Sequence, residues 1–142
     1  MKQQSPYNHY VVMFFIMILS GLLSTMNVWV DKYQDMRFSI NDAYMTILMS
    51  GWMLFFMGLF DREPYIIITG IVIIMSSIWC IRTQFLVTEE QYLLGMIPHH
   101  SMAIHMSKKL LEKENKQNIN IQSFVQNIIK TQEDEIVYMT KH

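Results

Sequence analysis

The amino-acid sequence predicts an all-α protein: three transmembrane helices, then a polar helical hairpin that completes a four-helix bundle by oligomerisation. Three observations carry that expectation. With 51% hydrophobic and 16% charged residues, the chain is more apolar than an ordinary soluble domain of its length. Its apolar residues gather into three charge-free runs. Beyond residue 82 the composition turns polar, and the remaining apolar residues recur with helical spacing.

The runs cover residues 11–30, 43–60 and 65–81. A hydrocarbon core of about 30 Å needs about 20 helical residues, with about 17 tolerated, so each run is long enough to cross a bilayer. The first has only Lys2 ahead of it and ends in Asn27-Val28-Trp29-Val30. That ending offers no small-x-small cleavage signal, so the segment reads as an uncleaved anchor. Tyr7, Tyr10, Trp29, Tyr33, Tyr44 and Tyr65 stand near the ends of the runs, where amphipathic rings favour the membrane interface. Residues 1–87 thus read as a membrane domain and 88–142 as the hairpin.

Thr88-Glu89-Glu90-Gln91 is a capping-box pattern that opens a helix. The helix is expected to run to about Glu114, with Asn115–Asn118 as a polar connection and a second helix over about Ile119–Thr140. Short connections favour antiparallel neighbours. On the second helix Val125, Ile128, Ile129, Gln132, Ile136 and Met139 share one stripe at 100° per residue, with Glu135 on its flank. On the first, Met96, His99, Ala103, Met106 and Leu110 share a stripe with Met102 at its edge. His100 and His105 point about 100° and 120° away from His99, on opposite sides. Pro98 removes one helical donor and crowds the carbonyl of Leu94, so a kink is expected there rather than a new helix start. One hairpin cannot enclose both stripes, and a homodimer or higher oligomer would.

The chemistry is concentrated in Met96–Met106, "MIPHHSMAIHM", which holds three histidines and three methionines. Cuprous ion is soft and takes thioether and imidazole ligands, whereas hard cations want oxygen. His99 with Met96, Met102 and Met106 could offer one nitrogen and two or three sulfurs. The bland alternative is that methionine fills an irregular core and His99 is a hydrogen-bonded core residue. Gln132 and Glu135, on or beside the facing stripe, could orient an imidazole. His100 and His105 are the weaker histidine candidates. A second pattern, Met45, Met49, Met53 and Met57 with Met13 and Met17, could be a thioether path through the membrane. Ordinary apolar packing explains it better, since no intramembrane charge or proline-broken helix accompanies it. Gly51 and Gly58 read as points of close helix contact.

Other classes find no support. No Glu-x-x-His pair of the di-iron bundles occurs, nor a Gly-x-Ser-x-Gly elbow or a phosphate-cradling glycine loop, so no enzyme is expected. A net charge of −1 without a basic cluster gives no nucleic-acid signal. The single cysteine, Cys80, cannot form an intrachain disulfide.

"MIPHHSMAIHM" followed by "IIKTQEDEIVYM" (128–139) resembles the ferritin-like family catalogued as domain of unknown function 305. Its hallmark corresponds to Met96, Ile97, Pro98, His99, His100, Ala103, Ile104 and Met106, then Gln132, Glu135, Ile136 and Met139. The three apolar runs resemble a membrane-anchored branch of the same family. The resemblance implies a hairpin that assembles into a ferritin-like bundle, an association with bacterial copper or heavy-metal tolerance, and His and Met ligands. The candidate metal ligands are therefore His99, Met96, Met102, Met106, His100, His105, Glu135 and Met139, with Cu(I) as the expected ion. The expected function is soft-metal binding tethered to the lipid bilayer, with copper-handling proteins as possible partners. The alternative is a structural or assembly subunit whose hairpin joins copies without metal. Flanking charges give no clear orientation. The resemblance places the chain in a bacterial inner or plasma membrane with its hairpin on the periplasmic or extracellular side.

Overall fold

The computed structural model describes residues 6–113 and 119–141. The expected connection Asn115–Asn118 and the C-terminal His142 lie outside them. Five α-helices are described: α1 (Pro6–Leu23), α2 (Ile40–Asp61), α3 (Pro64–Thr83), α4 (Glu89–Lys113) and α5 (Ile119–Lys141). Short 3-10 turns at Met26–Trp29 and Tyr33–Asp35 join α1 to α2. No strand occurs among the described residues, so the all-α expectation holds. Three segments, Tyr7–Trp29, Ile40–Asp61 and Pro64–Thr83, are long and apolar enough to cross a membrane, with mean hydropathies of 2.1, 1.6 and 2.1. The chain forms two compact units: residues 1–25 with 40–87, and residues 26–39 with 88–142. A cut at residue 87 alone does not separate them, because the α1–α2 connection folds with the hairpin.

In the first unit α2 and α3 pack closely because glycines remove the side chains that would hold them apart. A methyl group on Gly70 would stand 2.6 Å from the backbone nitrogen of Phe55, and one on Gly58 would stand 2.8 Å from that of Ile67. Gly51 rests against Ile73 and Ile74, so Gly51 and Gly58 do lie at helix contacts. Gly21 brings α1 against Thr46 of α2. Tyr10 donates its hydroxyl proton to the Asp61 carboxylate at 2.7 Å. Tyr10, Leu54 and Ile66 form the buried cluster, lined by Phe14, Met53, Met57 and Ile73. Hydroxyls along these helices donate back to carbonyls one turn earlier, as Thr46 does to Asp42 and Ser50 to Thr46, which satisfies them where water is absent. The methionine ladder divides: Met53 and Met57 pack on the cluster, while Met45 and Met49 are exposed.

In the second unit α4 and α5 form the hairpin, and residues 26–39 lie along α4. α4 runs unbroken through Pro98, whose ring is fully buried, so no helix restarts there. The Thr88 hydroxyl accepts from the Gln91 N–H at 3.3 Å, as the capping box requires. Asn27 closes the connection on itself: its side-chain amide donates to the Arg37 carbonyl at 2.7 Å and accepts from the Arg37 N–H at 2.8 Å. Ser101 then fastens the connection to α4. Its hydroxyl donates to the buried Asp35 carboxylate at 2.7 Å and accepts from the Asp31 N–H at 2.9 Å. Lys108 adds an ion pair to Asp31 at 2.7 Å, and that bond holds its ammonium above the usual lysine value.

This fastening sets the rotation of α4. The α5 stripe is as expected, with Val125 and Met139 buried and Ile128, Ile129, Gln132 and Ile136 half-buried. The α4 stripe is not. Its buried residues are Ile97, Pro98, Ser101 and Ile104, whereas His99 and Met106 are exposed. The expected face counted methionine, alanine and histidine as inward residues, but the α1–α2 connection covers a different flank of the helix.

Candidate metal centre

The change in rotation brings His100 to the groove between α4 and α5. Its Nδ1 lies 2.9 Å from Glu135 Oε2, and the same carboxylate oxygen accepts from Gln132 Nε2 at 3.0 Å. Glu135 thus approaches the imidazole of His100 rather than that of His99, and Gln132 reaches the carboxylate, not the ring. The two groups are close without being aligned: His100 Nδ1 is buried with no hydrogen-bond partner among the described residues. Burial pushes the His100 imidazole below its ordinary value, against the pull of the Glu135 carboxylate, while His99 acts in the same direction as burial. The ring is therefore held towards the neutral form, which is the form that ligates metals.

The groove has a volume of ≈ 490 Å³ and is lined from α4 by Tyr92, Leu93, Met96 and His100, and from α5 by residues that include Asp134, Glu135, Tyr138 and Met139. Of the eight candidate ligands, the structure brings Met96, His100, Glu135 and Met139 together here. It does not bring the other four into the groove: His99 and Met106 are exposed on α4, and Met102 and His105 are half-buried elsewhere on the same helix. The rings of His99 and His100 meet edge to face with centroids 5.7 Å apart, so they are neighbours that face different surroundings.

The donor chemistry of the groove is mixed. No group of three His, Cys, Asp or Glu side chains is placed to hold a metal ion among the described residues. A site made of nitrogen and oxygen donors alone, as zinc or a hard cation would want, is therefore not supported. One imidazole with two thioethers and an adjacent carboxylate fits a soft ion, for which sulfur compensates the missing nitrogen and oxygen donors. Sequence reasoning missed Tyr92, Asp134 and Tyr138 as lining residues, and missed Ser101, Asp31 and Asp35 as the device that turns His100 inward. Ser101 lies inside the His/Met-rich stretch, yet a serine among ligand types carries no signal of its own.

The family described as "Domain of unknown function (DUF305)" matches residues 82–142. A similar protein, described as "Uncharacterized protein L153" from Acanthamoeba polyphaga mimivirus, is 40% identical over 134 residues, covering 89% of this chain and 85% of the relative. No solved structure matches. The matched segment contains α4 and α5 and every lining residue of the groove, and the likeness to the relative extends across most of the chain. This chain belongs to the family described as domain of unknown function (DUF305).

Proposed function

We propose that the protein is a membrane-tethered soft-metal binder that holds Cu(I) in the α4–α5 groove. His100, Met96 and Met139 serve as donors, and Glu135 orients the imidazole. The observation that carries this reading is the His100 imidazole, held with Nδ1 2.9 Å from the Glu135 carboxylate in a groove shared with two thioethers. A carboxylate beside a ligating histidine normally fixes its ring orientation and raises its basicity. With Glu135 next to Nδ1, Nε2 is the nitrogen left to coordinate. Enzymatic turnover has no place in this reading: the groove stores the ion, or passes it to copper-handling proteins.

The three apolar helices supply the tether. Crossings by α2 and α3 would return the chain to the side it left after α1. That return lets residues 26–39 and 88–142 fold as one unit, and it supports three spans. In this reading the hairpin is of ferritin-like type and stands outside the cytoplasm of a bacterial plasma membrane. The rival reading, a structural subunit whose hairpin joins copies without metal, draws on the exposed apolar residues of α4.

The test is a Cu(I) competition titration of the detergent-purified chain against a colorimetric chelator. His100→Ala is expected to abolish stoichiometric Cu(I) binding, and Glu135→Gln to weaken it about 10- to 100-fold, as losses of orienting partners do. His99→Ala should stay within about threefold of the parent, on the grounds that an exposed ring outside the groove contributes no donor. Equal binding by parent and His100→Ala would dismiss the groove as the site and leave the structural reading standing.

A further inference from the structure

The face of α4 that borders the groove and continues past it towards Met106 is itself patterned. Tyr92, Met96, His99, Ala103 and Met106 follow one another at steps of three or four residues, with no charge among them. Tyr92 and Met106 are each 54% exposed. The ends of the helix carry opposite signs: Glu89 and Glu90 lie in the first turn and Lys113 in the last. Of the other lysines nearby, Lys108 is held by Asp31, and Lys109 is paired with Glu112 at 2.6 Å. Among the described lysines of α4, Lys113 stands outside these two ion pairs.

We infer that this face packs against the same face of a second copy in an antiparallel, two-fold arrangement, and that Met106 of the partner subunit closes the mouth of the groove beside Met96. The part played by Met106 rests on the soft-metal reading of the groove, whereas the pairing itself does not. Charge selects both the occupant and the direction. Set antiparallel about a centre between His99 and Ala103, α4 places Glu89 opposite Lys113, and Met96 opposite Met106. A parallel pair would place Glu on Glu and Lys on Lys, which is unfavourable. Ala103 at the centre allows the helices to approach within the usual 8–10 Å. An isologous contact uses each feature twice, so one Met106 would serve each of two grooves. The arrangement also gives a role to Met106, which stands exposed and outside the groove of its own chain.

The experiment uses the full chain in detergent with metal chelated, in a Cys80→Ser background. Met96→Cys with Met106→Cys is expected to give a disulfide-linked dimer on mild oxidation. Either cysteine alone should give none, because equivalent residues would lie about 15 Å apart along the axis at 1.5 Å per residue. Should the groove cysteine disturb folding, Glu89→Lys is expected to weaken the dimer seen by native mass spectrometry, and Lys113→Glu in the same chain to restore it. Met106→Leu is then expected to lower Cu(I) affinity by about tenfold or more with the dimer intact, on the scale of losing one supporting group at a metal site. Linkage through Met96→Cys alone, or a monomer under all conditions, would overturn the pairing. A dimer whose Cu(I) affinity ignores Met106→Leu would overturn the shared site. If His100→Ala leaves Cu(I) binding unchanged while the cross-linking pattern holds, the groove reading fails and the pairing survives.

Discussion

Ser101→Ala is expected to destabilise the hairpin unit by about 3 kcal/mol, the sum of two losses. The Ser101 hydroxyl is fully buried and donates to the Asp35 carboxylate, itself only 7% exposed. A hydrogen bond to a charged group contributes about 1.5–3 kcal/mol. The same oxygen accepts from the Asp31 N–H, and leaving a buried donor without a partner costs about 1–3 kcal/mol. The methyl side chain also leaves a small void, but the polar losses dominate. Hydrogen exchange of the α4 amides around Ile97–Ile104 would report the change directly, since local opening free energies are read there. Asp35→Asn should cost less, because the amide oxygen can still accept from Ser101. The double variant should cost less than the two single effects combined, as residues that share a bond couple. A change below about 0.5 kcal/mol, the range of neutral surface substitutions, would mean that the α1–α2 connection is not fastened through Ser101.

The same contact also positions the α4–α5 groove in which we propose Cu(I) is held. Ser101 follows His100 on α4, so the fastening that holds Ser101 against Asp31 and Asp35 also holds His100 towards α5. Ser101→Ala is therefore expected to weaken Cu(I) binding with every donor still present, and Gln at position 35 to preserve it less well than Asn, whose length matches the aspartate. Chelator titration of these variants beside the exchange measurement would link the two effects.

Which features could be read from the sequence follows from the physics that sets them. The three long apolar helices were legible because a charge-free run of that length has few other uses in water. Their ends were less so: α2 begins at Ile40, three residues ahead of its run, because Asn41 and Asp42 add a polar first turn. The α5 stripe was legible because α5 packs on its sequence neighbour α4, and a single face with helical period records that. The rotation of α4 was not. It is decided by Asp31 and Asp35, which lie 70 and 66 residues from Ser101, in a stretch that reads simply as a loop between two spans. Periodicity marks which residues are apolar, but not which of two flanks a distant segment will cover. The Gln132–Glu135 contact lies where the stripe placed both residues, while the histidine beside it is His100 rather than His99. His99 and His100 diverge by about 100° on a helix, so one such rotation exchanges a solvent-facing ring for a buried one.

Gly70→Ala is the expected large effect in the unit of α1, α2 and α3. The added methyl would stand 2.6 Å from the Phe55 nitrogen, 2.9 Å from its Cα and 3.0 Å from the Gly51 carbonyl oxygen. All three are backbone atoms. No rotamer change can relieve the overlap, so α2 and α3 must separate along their contact. Overpacking of this kind costs about 1–3 kcal/mol, and the upper part of that range is expected because the obstacle is main chain on three sides. Separation also weakens the contacts of Leu54 and Ile66, which belong to the same packed cluster. In a bilayer, lipid tails are as apolar as the helices, so close packing of small residues carries much of the association. Gly95→Ala provides the comparison: its methyl would meet the Ser39 hydroxyl at 3.2 Å, and a side-chain hydroxyl can give by a few tenths of an ångström. The expected order of destabilisation is Gly70 well above Gly95, read as the fraction folded during denaturant titration of the detergent-purified chain. Equal effects at the two positions would show that backbone contact between α2 and α3 is not what holds the apolar helices together, and that the side chains around Tyr10 and Leu54 carry the association instead.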